Sequence, residues 1–359
     1  MRHTRGRVVE VDTVAELEWR LAAGARSLSG WRLRGLDLTP YGAALSACDV
    51  AGALFLGCVL SASTEQSLRA RGAIVFPAVP GSPVDSYRSH LYSARELYDT
   101  PDYQDSLDAR AYAWSRGADP DLAQALHDHA IDAALADWVQ GRRLVGVMGG
   151  HAVLRGEPEY AAAARLGHAL GGSYVVATGG GPGAMEAANL GGYLAGQPSE
   201  TLDEAVAVLS ATPSFRPDTD AWVRAAFEVL ERHPAGADTL GIPTWHYGHE
   251  PPNAFGTAIA KYFRNATREA ILLEICSAGI VFLPGAAGTV QEVFQDGCEN
   301  YYADESSTAP MVLVGRRHWT QTVPAWPLLQ ALARGRAMEP HVHLVEDVEE
   351  AAALVLSHR

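Results

Sequence analysis

Three short apolar runs in the second half of the chain each stop at a glycine cluster, and each cluster opens a helical pattern. RLVGVM (Arg143–Met148) ends at Gly149-Gly150, SYVVAT (Ser173–Thr178) at Gly179-Gly180-Gly181-Pro182-Gly183, and GIVFL (Gly279–Leu283) at Pro284-Gly285. A short, unbroken apolar run closed by glycine reads as a strand buried on both faces. The intervening helical patterns span Glu157–Leu170, with Pro158 suited to a first turn, Ala184–Leu194 and Thr289–Tyr302. Further strands are expected at Asp238–Pro243, Met311–Val314 and His343–Val345. Further helices are expected at Ala325–Ala333 and Val348–Leu356, and Phe255–Cys276 reads as helical, with room for one break. Alternation of this kind predicts an α/β fold: a doubly wound, Rossmann-like parallel sheet over residues 141–359.

Residues 1–140 do not follow that alternation and predict a separate α+β extension of unknown role. Its expected elements are a helix at Thr13–Ala23 capped by Asp12 or Thr13, strands at Trp31–Leu38, Ala53–Leu60 and Ala73–Phe76, and helices at Tyr87–Tyr98 and Pro120–Val139. No internal repeat is evident. The charge balance, 28 Lys+Arg against 42 Asp+Glu for a net −14, repels nucleic acid and anionic membranes. It leaves room for a small anion held locally by backbone N–H groups. The longest apolar runs fall short of the roughly 18–20 residues that span a bilayer, and the N-terminus carries no apolar signal region. Cys48, Cys58, Cys276 and Cys298 form no C-x-x-C, which fits a cytoplasmic protein. The close histidine pairs His127/His129, His246/His249 and His341/His343 lack cysteines at zinc spacing, so neither a metal nor a cofactor is expected. Lys261 is the single lysine, and so the single candidate for Schiff-base chemistry.

Ligands of a doubly wound sheet sit beyond the carboxyl ends of its strands. Gly149 and Gly150 permit close backbone approach, or form a plain strand-to-helix turn. Gly179, Gly180, Gly181 and Gly183 contain a G-x-G-x-x-A match, but the residues some twenty positions on (Gly196–Glu200) read as a turn and not as a strand ending in an acid. The triple glycine still makes an open platform for a nucleotide. Glu186, in the first turn of the next helix, either contacts ribose hydroxyls or favours the helix dipole. In Pro284–Glu292 (PGAAGTVQE), Gly285 and Gly288 free N–H groups for a phosphate and Thr289 adds a hydroxyl. Glu292 shares a helix face with Thr289, which also fits a capping box. Thr244–Asn253 (TWHYGHEPPN) is either a base-stacking loop or a rigid proline-bounded one.

GGGPGAMEAAN at Gly179–Asn189 and PGAAGTVQE at Pro284–Glu292 resemble the paired signatures of the Lonely Guy (LOG) family, whose pattern is P-G-G-x-G-T-x-x-E. The resemblance covers about Leu144–Val314, and the N-terminal region makes the chain similar to the larger bacterial nucleotide 5′-monophosphate nucleosidases of that superfamily. It implies hydrolysis of a nucleoside 5′-monophosphate to free base and ribose 5-phosphate, with no metal, in a homo-oligomer of two or more subunits. The phosphate loop carries over to Gly285–Thr289 and the catalytic glutamate to Glu292. The catalytic arginine carries over to Arg268, 16 residues before Pro284, with Arg264 as second candidate. The chain departs from the pattern at Ala286, where the family has glycine. A non-catalytic nucleotide-binding or sensing protein on the same scaffold is the alternative, while the lone lysine disfavours a lysine decarboxylase.

Overall fold

The computed structural model describes residues 8–117, 121–246 and 250–358. They divide into two compact units. One takes the chain up to His90 and the long helix as far as Ala134; the other takes Leu91–Gly117 and everything from Leu135.

The smaller unit runs β1 (Val9–Val11), α1 (Val14–Ala22), β2 (Trp31–Arg34), α2 (Gly42–Ser46), β3 (Leu54–Leu56), α3 (Ala62–Ala70) and β4 (Ile74–Phe76). Thr13 caps α1 and Ser61 caps α3 through their side-chain oxygens. The four strands pair in parallel, in chain order. Partnered residues Val9↔Trp31, Arg32↔Leu54 and Leu54↔Ile74 lie 22, 22 and 20 positions apart. Gly30, Gly52 and Gly72 precede successive strands with φ of 76°, 76° and 86°. This is an internal repeat that the sequence reading does not see, although Gly30, Gly35 and Leu38 recur 22 positions on as Gly52, Gly57 and Leu60. Trp31, Leu33, Phe55 and Val75 form its core with residues of the flanking helices.

Next come α4 (Ala94–Leu97), α5 (Leu107–Ser115) and α6 (Asp121–Val139). The helix expected over Tyr87–Tyr98 shrinks to α4. Before it, Tyr87 N–H donates to Asp85 and Arg88 donates to the His90 carbonyl, local bonds that compete with a helix. Residues 91–117 group with the larger unit, so the division differs from the expected one near 140. The reason is specific. Tyr92 and Ile259 exchange backbone hydrogen bonds, and Asp108, fully buried, accepts from Lys261, Trp245 and Tyr103.

The larger unit continues with β5 (Leu144–Met148), α7 (Pro158–Gly171), β6 (Val175–Thr178), α8 (Ala184–Tyr193), α9 (Ser199–Ser210), α10 (Thr219–Arg232), β7 (Thr239–Gly241) and β8 (Ala258–Ile259). It closes with α11 (Asn265–Glu274), β9 (Ile280–Phe282), α12 (Ala287–Tyr302), β10 (Met311–Val314), α13 (Trp326–Ala333), β11 (Val342–Val345) and α14 (Val348–Ser357). Its strands form one parallel sheet in the order β11-β10-β9-β5-β6-β7-β8, the doubly wound α/β fold expected. Two expectations fail here. Phe255–Cys276 is not one helix: its first part is strand and irregular chain, with Phe255, Ile259, Ala260, Tyr262 and Phe263 all buried. Burial on every side imitates a helical apolar pattern. The turn at Gly196–Glu200 leads at Ser199 into α9, and both α9 and α10 are additional to the expected elements.

Helices α7 and α8 meet backbone to backbone. A Cβ on Gly191 would lie 1.9 Å from the Ala164 carbonyl oxygen, and one on Gly167 2.1 Å from that of Ala188. Since α8 carries the glycine platform on its N-terminus, this contact sets how the platform sits over the sheet. Gly191→Ala should therefore lower stability by about 1–3 kcal/mol or more, despite alanine's better helix propensity. A melting temperature equal to or above that of the parent would show that the helices can separate without cost.

Candidate functional site

From β5 the chain moves outward to β8, returns to β9 on the other side of β5, and moves outward again to β11. Loops leaving the carboxyl ends of β5 and β9 therefore diverge, and a crevice opens at that switch point. A cavity of about 830 Å³ fills it. Nine expected site residues line it: Gly149 and Gly150 after β5, Gly179 and Gly181 after β6, Gly285, Gly288 and Thr289 at the start of α12, and Arg268 and Glu292.

Arg268 projects from the first turns of α11. Its Nε donates to the Ile242 carbonyl at 2.8 Å. Its Nη2 fills the space that a side chain on Gly179 would occupy, 2.7 Å from the position of such a Cβ. A side chain there would have to displace both the guanidinium and Met185 Sδ, which also lies 2.7 Å from that position. Nη1 stands 3.7 Å from Glu292 Oε1 and 3.9 Å from Glu269 Oε1. Arg264 is exposed at the N-cap of α11 and does not line the cavity.

Helix α12 starts at Ala287 with Ala286 as N-cap and no side-chain cap. The capping box is thus not formed. Thr289 is buried with its hydroxyl against Gly285, where a Cβ would sit 2.2 Å from Oγ1. The N–H groups of the first helical turn have no intrahelical acceptor and face the crevice end of the sheet. Ala286 takes φ −109°, open to any residue, so its methyl imposes no backbone strain. Glu292 is buried against Arg268. Burial pushes its carboxyl up to about 7; Arg268 opposes the rise and Glu269 adds to it.

Three expected residues stand elsewhere. Gly180, at φ 71°, packs on Ile242-Pro243, and Gly183, at φ 74°, on the carbonyls of Gly150 and His151. Glu186 is fully buried. Arg155 grips both its oxygens, Tyr160 donates to Oε2 at 3.1 Å, and the Arg155 guanidinium lies 4.4 Å from the Trp222 ring centroid. Its acceptors are committed to an ion pair beside a smaller pocket of about 250 Å³, which leaves none for the ribose, while it keeps its place in the first turn of α8. Trp245 is also buried, stacked on Phe263 and bonded to Asp108, so it offers no face to a base. Asn253 donates to the Gly181 carbonyl and braces the platform from behind; Tyr247, Gly248 and His249 lie outside the described residues. Lys261 is fully buried against Asp108.

The sequence reading missed Glu269, Gln291 and His318, which all line the cavity. His318 shares a hydrogen bond of 3.0 Å with the Gly285 carbonyl. Its signal was its position just past the carboxyl end of β10, the strand beside β9. Among the described residues no group of three or more His, Cys, Asp or Glu is arranged to hold a metal ion. Among them, too, no helix is long and apolar enough to cross a membrane.

No family model matches the chain, and no curated protein matches it. Among solved structures, the chain is similar to the molybdenum cofactor binding protein from the phototrophic bacterium Rippkaea orientalis. That protein is 16% identical over 61% of this chain and 98% of its own, with a TM-score of 0.38. The molybdenum cofactor carrier protein from Chlamydomonas reinhardtii is 18% identical over 60% and 97%, also at 0.38. Likeness at that level carries no assignment, and the fold stands on the strand order given above.

The two buried glutamates should respond in opposite ways to mutation. Glu186→Ala strands a buried Arg155 and should cost about 3–5 kcal/mol. A carboxyl whose folded pKa is raised adds stability at pH below its unfolded value, and that contribution is lost as pH rises through the folded one. Glu292→Gln should consequently gain about 3 kcal/mol at pH 8, from a rise to about 7, and gain nothing at pH 4. Denaturant titrations at both pH values test this; a loss at pH 8 would restore a structural role for the Glu292 charge.

Proposed function

We propose that this protein hydrolyses the N-glycosidic bond of a nucleoside 5′-monophosphate, releasing free base and ribose 5-phosphate. The observation that carries the reading is the meeting of Arg268 and Glu292, 3.7 Å apart, in a cavity floored by the Gly285–Thr289 helix terminus. The resemblance of the two glycine motifs to the LOG family supports the substrate class. A 5′-phosphate would take the free N–H groups of Ala287, Gly288 and Thr289 and the Thr289 hydroxyl. Phosphate binding energy then holds the ribose for attack, although the phosphate itself does not react.

Departure of the base develops oxocarbenium charge on the sugar, which a nearby carboxylate stabilises. Water must add to the anomeric carbon and lose a proton, and the departing base nitrogen must gain one. With its carboxyl near 7, Glu292 is a base strong enough to take that proton and still substantially ionised at neutral pH. Arg268 steadies the anion and offers Nη2 to the phosphate or to the base edge. The alternative, a nucleotide-binding protein without catalysis, needs the loop but not a buried carboxylate facing it, and Glu292 is what favours the enzyme.

The purified protein should release base from at least one nucleoside 5′-monophosphate and act poorly on the nucleoside. Equal rates on both would refute phosphate anchoring. Glu292→Gln should reduce turnover by about 10²–10⁴. Arg268→Ala should abolish base release while Arg264→Ala retains most of it; the reverse order in a paired assay would overturn the assignment. If Glu292 is the base, the rate should fall as pH drops below about 7. A rate that stays flat from pH 8 to pH 5 would exclude it from proton transfer.

A further inference from the structure

We propose that Glu269 is a positioning residue of this site, which holds Arg268 between two carboxylates so that its charge is divided and not given wholly to Glu292. This rests on the reading of Arg268 and Glu292 as a catalytic pair, but its first test needs no substrate.

Three observations carry it. First, Nη1 of Arg268 lies 3.9 Å from one glutamate and 3.7 Å from the other, beyond a close hydrogen bond to either. With Nε spent on the Ile242 carbonyl, the guanidinium is tethered at a point between them. Second, Glu269 is buried at 5% exposure and both its oxygens are taken by neutral amides. Asn265 Nδ2 donates to Oε1 at 2.6 Å, and Gln291 Nε2 donates to Oε2. One donor comes from α11 and the other from α12, directly beside Glu292, so the carboxylate clamps the two helices that carry the pair. Third, Asn265 Oδ1 is buried with no hydrogen-bond partner. An unmet buried acceptor is costly. Its amide is turned to put the donor on Glu269, so the site is organised around a negative charge at that position.

The charged groups facing Glu292 from the helix packed on it are Arg268 and Glu269. His318, His151, Glu157 and Glu250 line the same cavity. Of these, Arg268 favours the Glu292 anion and Glu269 opposes it. If position 269 were neutral, Arg268 would be left to Glu292 alone, which would then titrate lower and be a weaker base.

The test is a carbon-13 titration of the glutamate carboxyls, with the Glu292 signal identified by its loss in Glu292→Gln. In Glu269→Gln the Glu292 midpoint should fall by about one pH unit or more. This variant should fold, because the new amide can donate to Asn265 Oδ1 once that side chain turns over. Glu269→Asp, which draws the charge back by one methylene, should shift the midpoint the same way by less. With a cleavable nucleotide, the acid limb of the rate profile should move down with the midpoint. An unchanged Glu292 midpoint in both folded variants overturns the proposal, even if base release is observed. A shifted midpoint with no base released from any nucleotide upholds it and sinks the hydrolase reading.

Discussion

The site depends on one packing constraint: the Arg268 guanidinium occupies the hollow left by Gly179. A Cβ at 179 would meet Arg268 Nη2 and Met185 Sδ, each at 2.7 Å, so a side chain there would push the ends of both side chains from their places. The tether from Nε to the Ile242 carbonyl then leaves Nη1 and Nη2 in the crevice. This joins three parts of the sheet, because Gly179 follows β6, Ile242 follows β7, and Arg268 precedes β9. The strand order brings these together with the α12 terminus at one end of the molecule's larger sheet. Shift any of them and the distance to Glu292 changes, together with the balance between burial and the guanidinium charge that sets its protonation.

The same economy appears in the buried ion pairs. Lys261 and Asp108 lie fully inside the larger unit, where Trp245 and Tyr103 also bond to Asp108. A buried pair of this kind gains little over apolar packing, but removal of one partner is expensive. Its effect is to make residues 91–117 part of the sheet-bearing unit, and Trp245, on the wall-forming loop, is held by the same carboxylate. Arg155 and Glu186 act similarly beside the glycine platform. Glu186 and Lys261, which the sequence offers for chemistry, are here committed to buried ion pairs, while Glu269, which attracted no notice, lines the cavity.

Much of this was legible in advance. Apolar runs ending in glycine located β5, β6 and β9 to within two residues, and the PGAAGTVQE spacing located the α12 terminus. Those signals are local: a buried parallel strand and a helix start each leave a mark within a few residues. The repeat of the smaller unit left a fainter mark, Gly30, Gly35 and Leu38 against Gly52, Gly57 and Leu60, which strand register and the positive-φ glycines make plain. The segment from Phe255 to Phe263 was misread because complete burial erases the periodicity that separates strand from helix.

The sequence alone determined that a parallel sheet would form, that glycine loops would end its strands, and that Glu292 would lie one turn beyond a glycine-flanked helix start. These follow from spacing within single elements. Tertiary structure alone decided which charges face the cavity. Glu186 and Glu292 both follow glycine loops near helix starts, Glu186 in the first turn and Glu292 in the second, and that spacing does not say which faces the cavity. The difference is the arginine each meets: Arg155 closes on Glu186 with both nitrogens and neutralises it in place, whereas Arg268, tethered to a carbonyl and shared with Glu269, stops 3.7 Å from Glu292. Those encounters join residues 31 and 24 positions apart, through strand order and helix packing, which is why no local pattern records them.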